Sequence, residues 1–204
     1  MCSGVEVRPS GPAKLGRSTA KAVSGSRVYV FGQRGRPMRA EQDNKDGNVP
    51  MTLSDLIAPD AVIPALKAKS KKLVLEDLSH RAAKLEKLSG RDLFEALLQR
   101  ERLGSTGVGR GIAIPHCRLA GVKRIACVFA RLDAAIPFDA MDGEPVDLVF
   151  LLLAPEDAGA DHLKALACLS RLMRDPKLMT QLRAAKDQMS LYALLTQPLA
   201  TNAA

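Results

Sequence analysis

The run Val146-Asp147-Leu148-Val149-Phe150-Leu151-Leu152-Leu153-Ala154 constrains the fold of this chain more than any other stretch. Its nine residues are apolar except Asp147, and Pro155 stops it. They do not alternate apolar with polar, as a strand with one wet face would. The run therefore predicts a central strand buried on both faces. It is far short of the ~20 residues that a membrane helix needs.

A strand covered on both sides requires helices, and the flanking sequence supplies them. Thr52 to Ile57 reads as a short capped helix before Pro59, and Val62 to Leu66 as a strand that Pro64 suits to an edge. Ser70 to Leu88 carries Leu73, Leu75, Leu78, Ala82, Leu85 and Leu88 near helical spacing. Ser89 caps a second helix with Leu93, Phe94, Leu97, Leu98 and Leu103 inward, closed by Gly104. Ile112 to Ile114 and Lys123 to Leu132 read as strands. His162 to Arg174 predicts a helix with Leu163, Leu166, Leu169, Ser170 and Met173 inward, and two short helices follow Asp175-Pro176 and start at Ser190. Strands and helices interleave, so the expected class is α/β: a mixed central β-sheet flanked by helices, in a single domain.

Residues 1–50 differ in kind. They are rich in Gly, Ser, Pro, Arg and Lys, with Val28-Tyr29-Val30-Phe31 as the only apolar run. Such a segment buries too little apolar surface to offset its ordering entropy, so a disordered basic extension is expected. Its composition also resembles a transit peptide. A start of translation at Met51 or Met38 is the plainer alternative. The expected domain spans 51–197, with a flexible tail at 198–204.

The net charge of +8 is uneven: residues 1–50 contribute +5 and the other 154 residues +3. Basic character therefore belongs mainly to the extension, and it argues for no nucleic-acid partner. Cys2, Cys117, Cys127 and Cys168 form no CxxC pair and read as reduced thiols of a cytoplasmic protein.

The chemistry concentrates in Gly104-Ser105-Thr106-Gly107-Val108-Gly109-Arg110-Gly111-Ile112-Ala113-Ile114-Pro115-His116-Cys117. It reads as a flexible loop, rich in free amides, that delivers His116 to the end of a strand. A neutral imidazole there is a candidate nucleophile, and converging amides can hold an anion. His162, after the long strand, is placed to meet it at the carboxyl ends of the strands. His80, mid-helix, reads as exposed and inert. Neither the dinucleotide-binding fingerprint nor the P-loop fits the glycine spacing. A metal site from His116, Cys117 and His162 lacks the usual ligand spacing.

The stretch from Arg100 through His116 resembles the active-site signature of phosphotransferase-system IIA domains of the fructose/mannitol type, and most of all their nitrogen-related branch. The resemblance runs over residues 51–197. It implies that His116 accepts a phosphoryl group at Nε2, the tele position, from an HPr-like carrier protein (NPr in the nitrogen branch). It implies that His162 orients the imidazole or stabilises the phosphate, that Arg100 supplies charge, and that amides of Ser105, Thr106, Gly107, Gly109 and Gly111 cradle the group. No metal or organic cofactor is implied. The implied output is regulation of target proteins (kinases, potassium transport or metabolic proteins) according to phosphorylation state. The alternative is a sugar-transport IIA component that passes phosphate to a IIB domain. Two residues depart from the family pattern. Arg110 replaces a small or amide residue and would add charge to the phosphate site or to the carrier interface, and Cys117 replaces glycine and would bring an oxidisable thiol to the site.

Overall fold

The computed structural model describes residues 51–197, and the expectations for 1–50 and 198–204 lie outside them. A six-stranded mixed sheet forms the centre, in the order β1, β5, β6, β3, β2, with β4 also paired to β6. The strands are β1 (Ile57–Leu66), β2 (Gly107–Gly109), β3 (Ile112–Ala113), β4 (His116–Arg118), β5 (Ala126–Ile136) and β6 (Val146–Ala154). The helices are α1 (Leu53–Leu56), α2 (Lys71–Glu86), α3 (Gly90–Arg102), α4 (Gly159–Leu172), α5 (Pro176–Ala184) and α6 (Gln188–Thr196).

The apolar run is β6, and every residue of it except Asp147 is fully buried. It pairs antiparallel with β5 and parallel with β3 and β4. Phe129 of β5 meets Phe150 of β6 with ring centroids 4.9 Å apart, within the favourable range for tilted aromatic pairs. β5 is also buried on both faces over Ala126 to Ala130, which makes it a second core strand. β1 lies at the sheet edge as Pro64 requires, but it begins at Ile57 and is twice the expected length.

The helix starts follow local chemistry. The Ser70, Ser89, Asp175 and Asp187 side chains accept from amides of the first turns of α2, α3, α5 and α6, each such cap contributing about 1 kcal/mol. Pro176 stands in the first turn of α5, where its missing amide costs nothing.

Four residues expected inside are outside. Leu73, Leu103 and Leu163 are 45%, 85% and 64% exposed, and Ser170 is exposed as well. Val74 takes the inward place on α2, and Ala165, Cys168 and Leu172 take it on α4. Leu103 stands at the C-cap of α3, where the chain is already turning away.

The glycine-rich stretch is not an open loop. β2 and β3 form an antiparallel hairpin that continues the sheet. Arg110 stands at its tip with φ +58°, between Gly109 at +90° and Gly111 at +76°. A non-glycine residue in that region is uncommon, and here it is held on both sides: its amide donates to Asp142 at 2.7 Å and its carbonyl accepts from Arg183 at 2.7 Å. Arg183 also grips Asp147 with two bonds of 2.7 and 2.9 Å.

Candidate functional site

The parallel partner of β6 is one strand interrupted. β3 and β4 lie in line along β6, with Ile112 and Ala113 beside Leu148 and Val149, and His116 beside Leu152. Between them Pro115 has no amide to give the ladder. Its carbonyl still accepts from Leu152 at 2.9 Å, and the Ile114 amide turns to Thr106 at 2.9 Å. The interruption brings His116 to the carboxyl end of β6. From there Pro155 leads into α4, whose first turn carries His162. The two imidazoles stand 5.7 Å apart, centroid to centroid.

The His116 ring is held at both nitrogens. Nδ1 lies 2.8 Å from the carbonyl of Ile114, which can only accept, so Nδ1 carries the proton. Nε2 keeps its lone pair and accepts from Arg100 Nε at 3.1 Å. Arg100 is fixed in turn by an Nη1 bond of 3.0 Å to the carbonyl of Gly104. Burial lowers the His116 pKa below the ordinary imidazole value, the Ile114 carbonyl opposes this, and the Arg100 charge adds to the lowering. The imidazole is therefore neutral at pH 7.

His162 is 5% exposed, and its Nδ1 is buried without a hydrogen-bond partner. Its pKa is lowered too, first by burial and then by His116 and Arg118. Buried side-chain nitrogens are usually hydrogen-bonded, so this one stands out beside the neutral His116 ring.

Both histidines open into a cleft of about 410 Å³. Arg100, Arg118 and Gln99 line it, with Ala96, Leu103 and Cys117, and no carboxylate is among the lining residues. Arg118 escaped the sequence reading. The signal was present, because a residue two places beyond His116 on a strand shares its face.

The glycines are elsewhere. None of Ser105, Thr106, Gly107, Gly109 and Gly111 lines this cleft. The Thr106 amide is taken by Glu101, and the Gly107 amide by the Ser105 hydroxyl, which itself donates to the Phe138 carbonyl at 2.8 Å. A Cβ on Gly107 would lie 2.8 Å from the Ala140 backbone, and one on Gly109 would lie 2.8 Å from the Asp142 carboxylate. These glycines let the hairpin lie against residues 138–147. Arg110 is exposed and outside the cleft lining, so its charge belongs to the hairpin tip. Cys117 does line the cleft but is 6% exposed, and burial pushes its thiol up to about 12. It is an inert thiol. His80 is exposed on α2, as expected. Among the described residues no group of three or more His, Cys, Asp or Glu side chains is placed to hold a metal ion. No helix among them is long and apolar enough to cross a membrane.

Comparison with known proteins shows the family. Residues 55–197 match the family model described as "Phosphoenolpyruvate-dependent sugar phosphotransferase system, EIIA 2". A nitrogen regulatory protein of Bradyrhizobium diazoefficiens is 55% identical over 153 residues, covering 75% of this chain and 100% of that protein. The nitrogen regulatory protein of Escherichia coli K12 is 40% identical over 147 residues, covering 72% of this chain and 90% of that one. The crystal structure of nitrogen regulatory protein IIA-Ntr from Neisseria meningitidis superposes with a TM-score of 0.67 at 36% identity, covering 71% of this chain and 99% of that one. With the match extending over most of its described residues, the chain belongs to the EIIA type 2 family of the phosphoenolpyruvate-dependent phosphotransferase system.

Proposed function

We propose that the chain is a phosphoryl-accepting regulatory protein of the nitrogen branch of that system, with His116 as acceptor. The observation that carries this reading is the fixed tautomer of His116. The Ile114 carbonyl holds the Nδ1 proton, so the lone pair is on Nε2, where Arg100 donates to it in the cleft lining.

The reaction is a transfer between two histidines. Nε2 of His116 attacks the phosphorus of a phosphohistidine on an HPr-like carrier. A P–N bond forms at Nε2 as the P–N bond on the carrier breaks, and the electron pair of that bond returns to the carrier's ring. The Nδ1 proton stays in place, so the carbonyl of Ile114 stabilises the positive charge that develops on the ring. Such a transfer depends on positioning and electrostatics more than on covalent machinery. Arg100 swings from Nε2 to an equatorial oxygen as the lone pair is consumed, and Arg118 adds a second cation at the rim. His162, whose ring lines the cleft beside His116, offers a hydrogen bond to the same group. The Thr106 and Gly107 amides, taken by Glu101 and the Ser105 hydroxyl, serve the frame and not the phosphate.

A macromolecular donor suits the rim. Leu103 lines the cleft and Leu163 adjoins His162, and both are mostly exposed. Identities of 55% and 40% to nitrogen regulatory proteins support regulation of target proteins as the output over onward transfer to a sugar-specific IIB domain.

The test is incubation with a phosphorylated HPr-type carrier, followed by analysis for acid-labile, base-stable phosphate. Label on wild-type protein and none on His116→Ala is expected. Label that persists in His116→Ala overturns the assignment.

A further inference from the structure

We propose that Glu101 is the positioning residue of this site, clamped by Thr106 and Lys71 so that the last turn of α3 holds Arg100 against Nε2 of His116. The proposal rests on His116 being the acceptor.

The Glu101 side chain is only 7% exposed. A carboxylate so far from water is costly unless its oxygens are matched. Here both are. Oε1 takes the Thr106 amide at 3.1 Å and Lys71 Nζ at 2.6 Å. Oε2 takes the Thr106 hydroxyl at 2.6 Å and shares the amide at 3.2 Å. Lys71 continues outward to Asp139 at 2.9 Å, and its ammonium lies 5.0 Å from the centroid of the Phe138 ring. One carboxylate thus joins the start of α2, the end of α3, the start of the hairpin and the segment after β5. None of these contacts touches the cleft, so the phosphoryl chemistry itself does not explain them.

Their bearing on the cleft is through Arg100. It is the neighbour of Glu101 in the last turn of α3, and its second anchor is the carbonyl of Gly104. Gly104 lies inside the short turn that the Glu101–Thr106 bonds close. The clamp therefore fixes both the backbone that carries Arg100 and the oxygen that aims it. It also sets a charge. The charged and titratable groups around His116 are Arg100 and Glu101 from α3, His162 from α4 and Arg118 from its own strand. Among them Glu101 favours the protonated imidazole, against burial and Arg100.

Two variants of the full chain test this, Glu101→Gln and Lys71→Met. They are followed by NMR titration of the His116 ring, by the rate of phosphoryl acceptance from the carrier, and by thermal melting. Glu101→Gln should lower the pH midpoint of His116 and slow acceptance roughly tenfold or more, the scale of a misplaced reacting group. Lys71→Met, which loosens the clamp but keeps the carboxylate, should slow acceptance less. A folded Glu101→Gln protein with the wild-type midpoint and rate overturns the proposal. If Glu101→Gln does not fold, Lys71→Met decides: slowed acceptance supports the clamp, and the wild-type rate overturns it. Failure of the acceptor reading shows separately, as label surviving in His116→Ala, while the His116 midpoint still reports on Glu101.

Discussion

Arg100 Nε donates to Nε2 of His116 at 3.1 Å, while Arg100 Nη1 holds the carbonyl of Gly104 at 3.0 Å. One guanidinium thus ties the His116 ring to the turn before the hairpin. A compact ammonium on a flexible stem cannot make both contacts in fixed geometry. Arg100→Lys is therefore expected to fold normally yet accept phosphate about 100-fold more slowly, the usual scale for losing one preorganised donor. The rate of labelling from a phosphorylated carrier checks this, and a wild-type rate would remove Arg100 from the site.

The histidine pair makes stability depend on pH. Burial, foremost, holds both imidazoles below the ordinary value of about 6.5. Between the folded and unfolded values the unfolded chain binds more protons, so stability rises with pH there. The contribution is complete above about pH 6.5 and is lost as pH falls through the folded values. Melting temperatures recorded from about pH 8 down to about pH 5 should decline on the acid side, and less steeply in a His116→Ala, His162→Ala double variant. An equal decline in both proteins contradicts this account.

Gly107 separates frame from chemistry. A methyl there would press on the Ala140 backbone at 2.8 Å, and neither residue lines the cleft. Gly107→Ala should lose about 1–3 kcal/mol of stability to overpacking, read by denaturant unfolding. Below the unfolding transition its acceptance rate should stay near wild type, whereas a direct phosphate-binding role for this glycine predicts a slow variant of normal stability.

Cys117 follows His116 in β4 but is buried, with its thiol pushed up to about 12. Native protein treated briefly with iodoacetamide at neutral pH should remain unmodified at this position by peptide mass spectrometry. Cys117→Gly should accept phosphate at the wild-type rate. Rapid alkylation of Cys117 would show an activated thiol instead.

Much of the frame was legible because its causes are local. The apolar run of β6 has one stable environment, a place between two layers of helices. Ser70, Ser89 and the Asp175-Pro176 pair mark helix starts by satisfying amides within one turn. Where periodicity misled, the cause was context. Leu103 and Leu163 keep helical spacing, but one follows the last turn of α3 and the other shares a turn with the inward His162, so both meet solvent.

The sequence by itself determined that a chain of this pattern would enclose a sheet in helices, and that Pro115-His116 would sit at the end of a strand. Only the tertiary structure decided what surrounds that histidine. Ile114, Arg100 and His162 meet it from a neighbouring backbone carbonyl, the end of α3 and the start of α4, which come together only when β4 pairs with β6. The same folding turned the glycines from a presumed phosphate cradle into a hairpin packed against residues 138–147, because the space beside a glycine is set by the segment that lies against it.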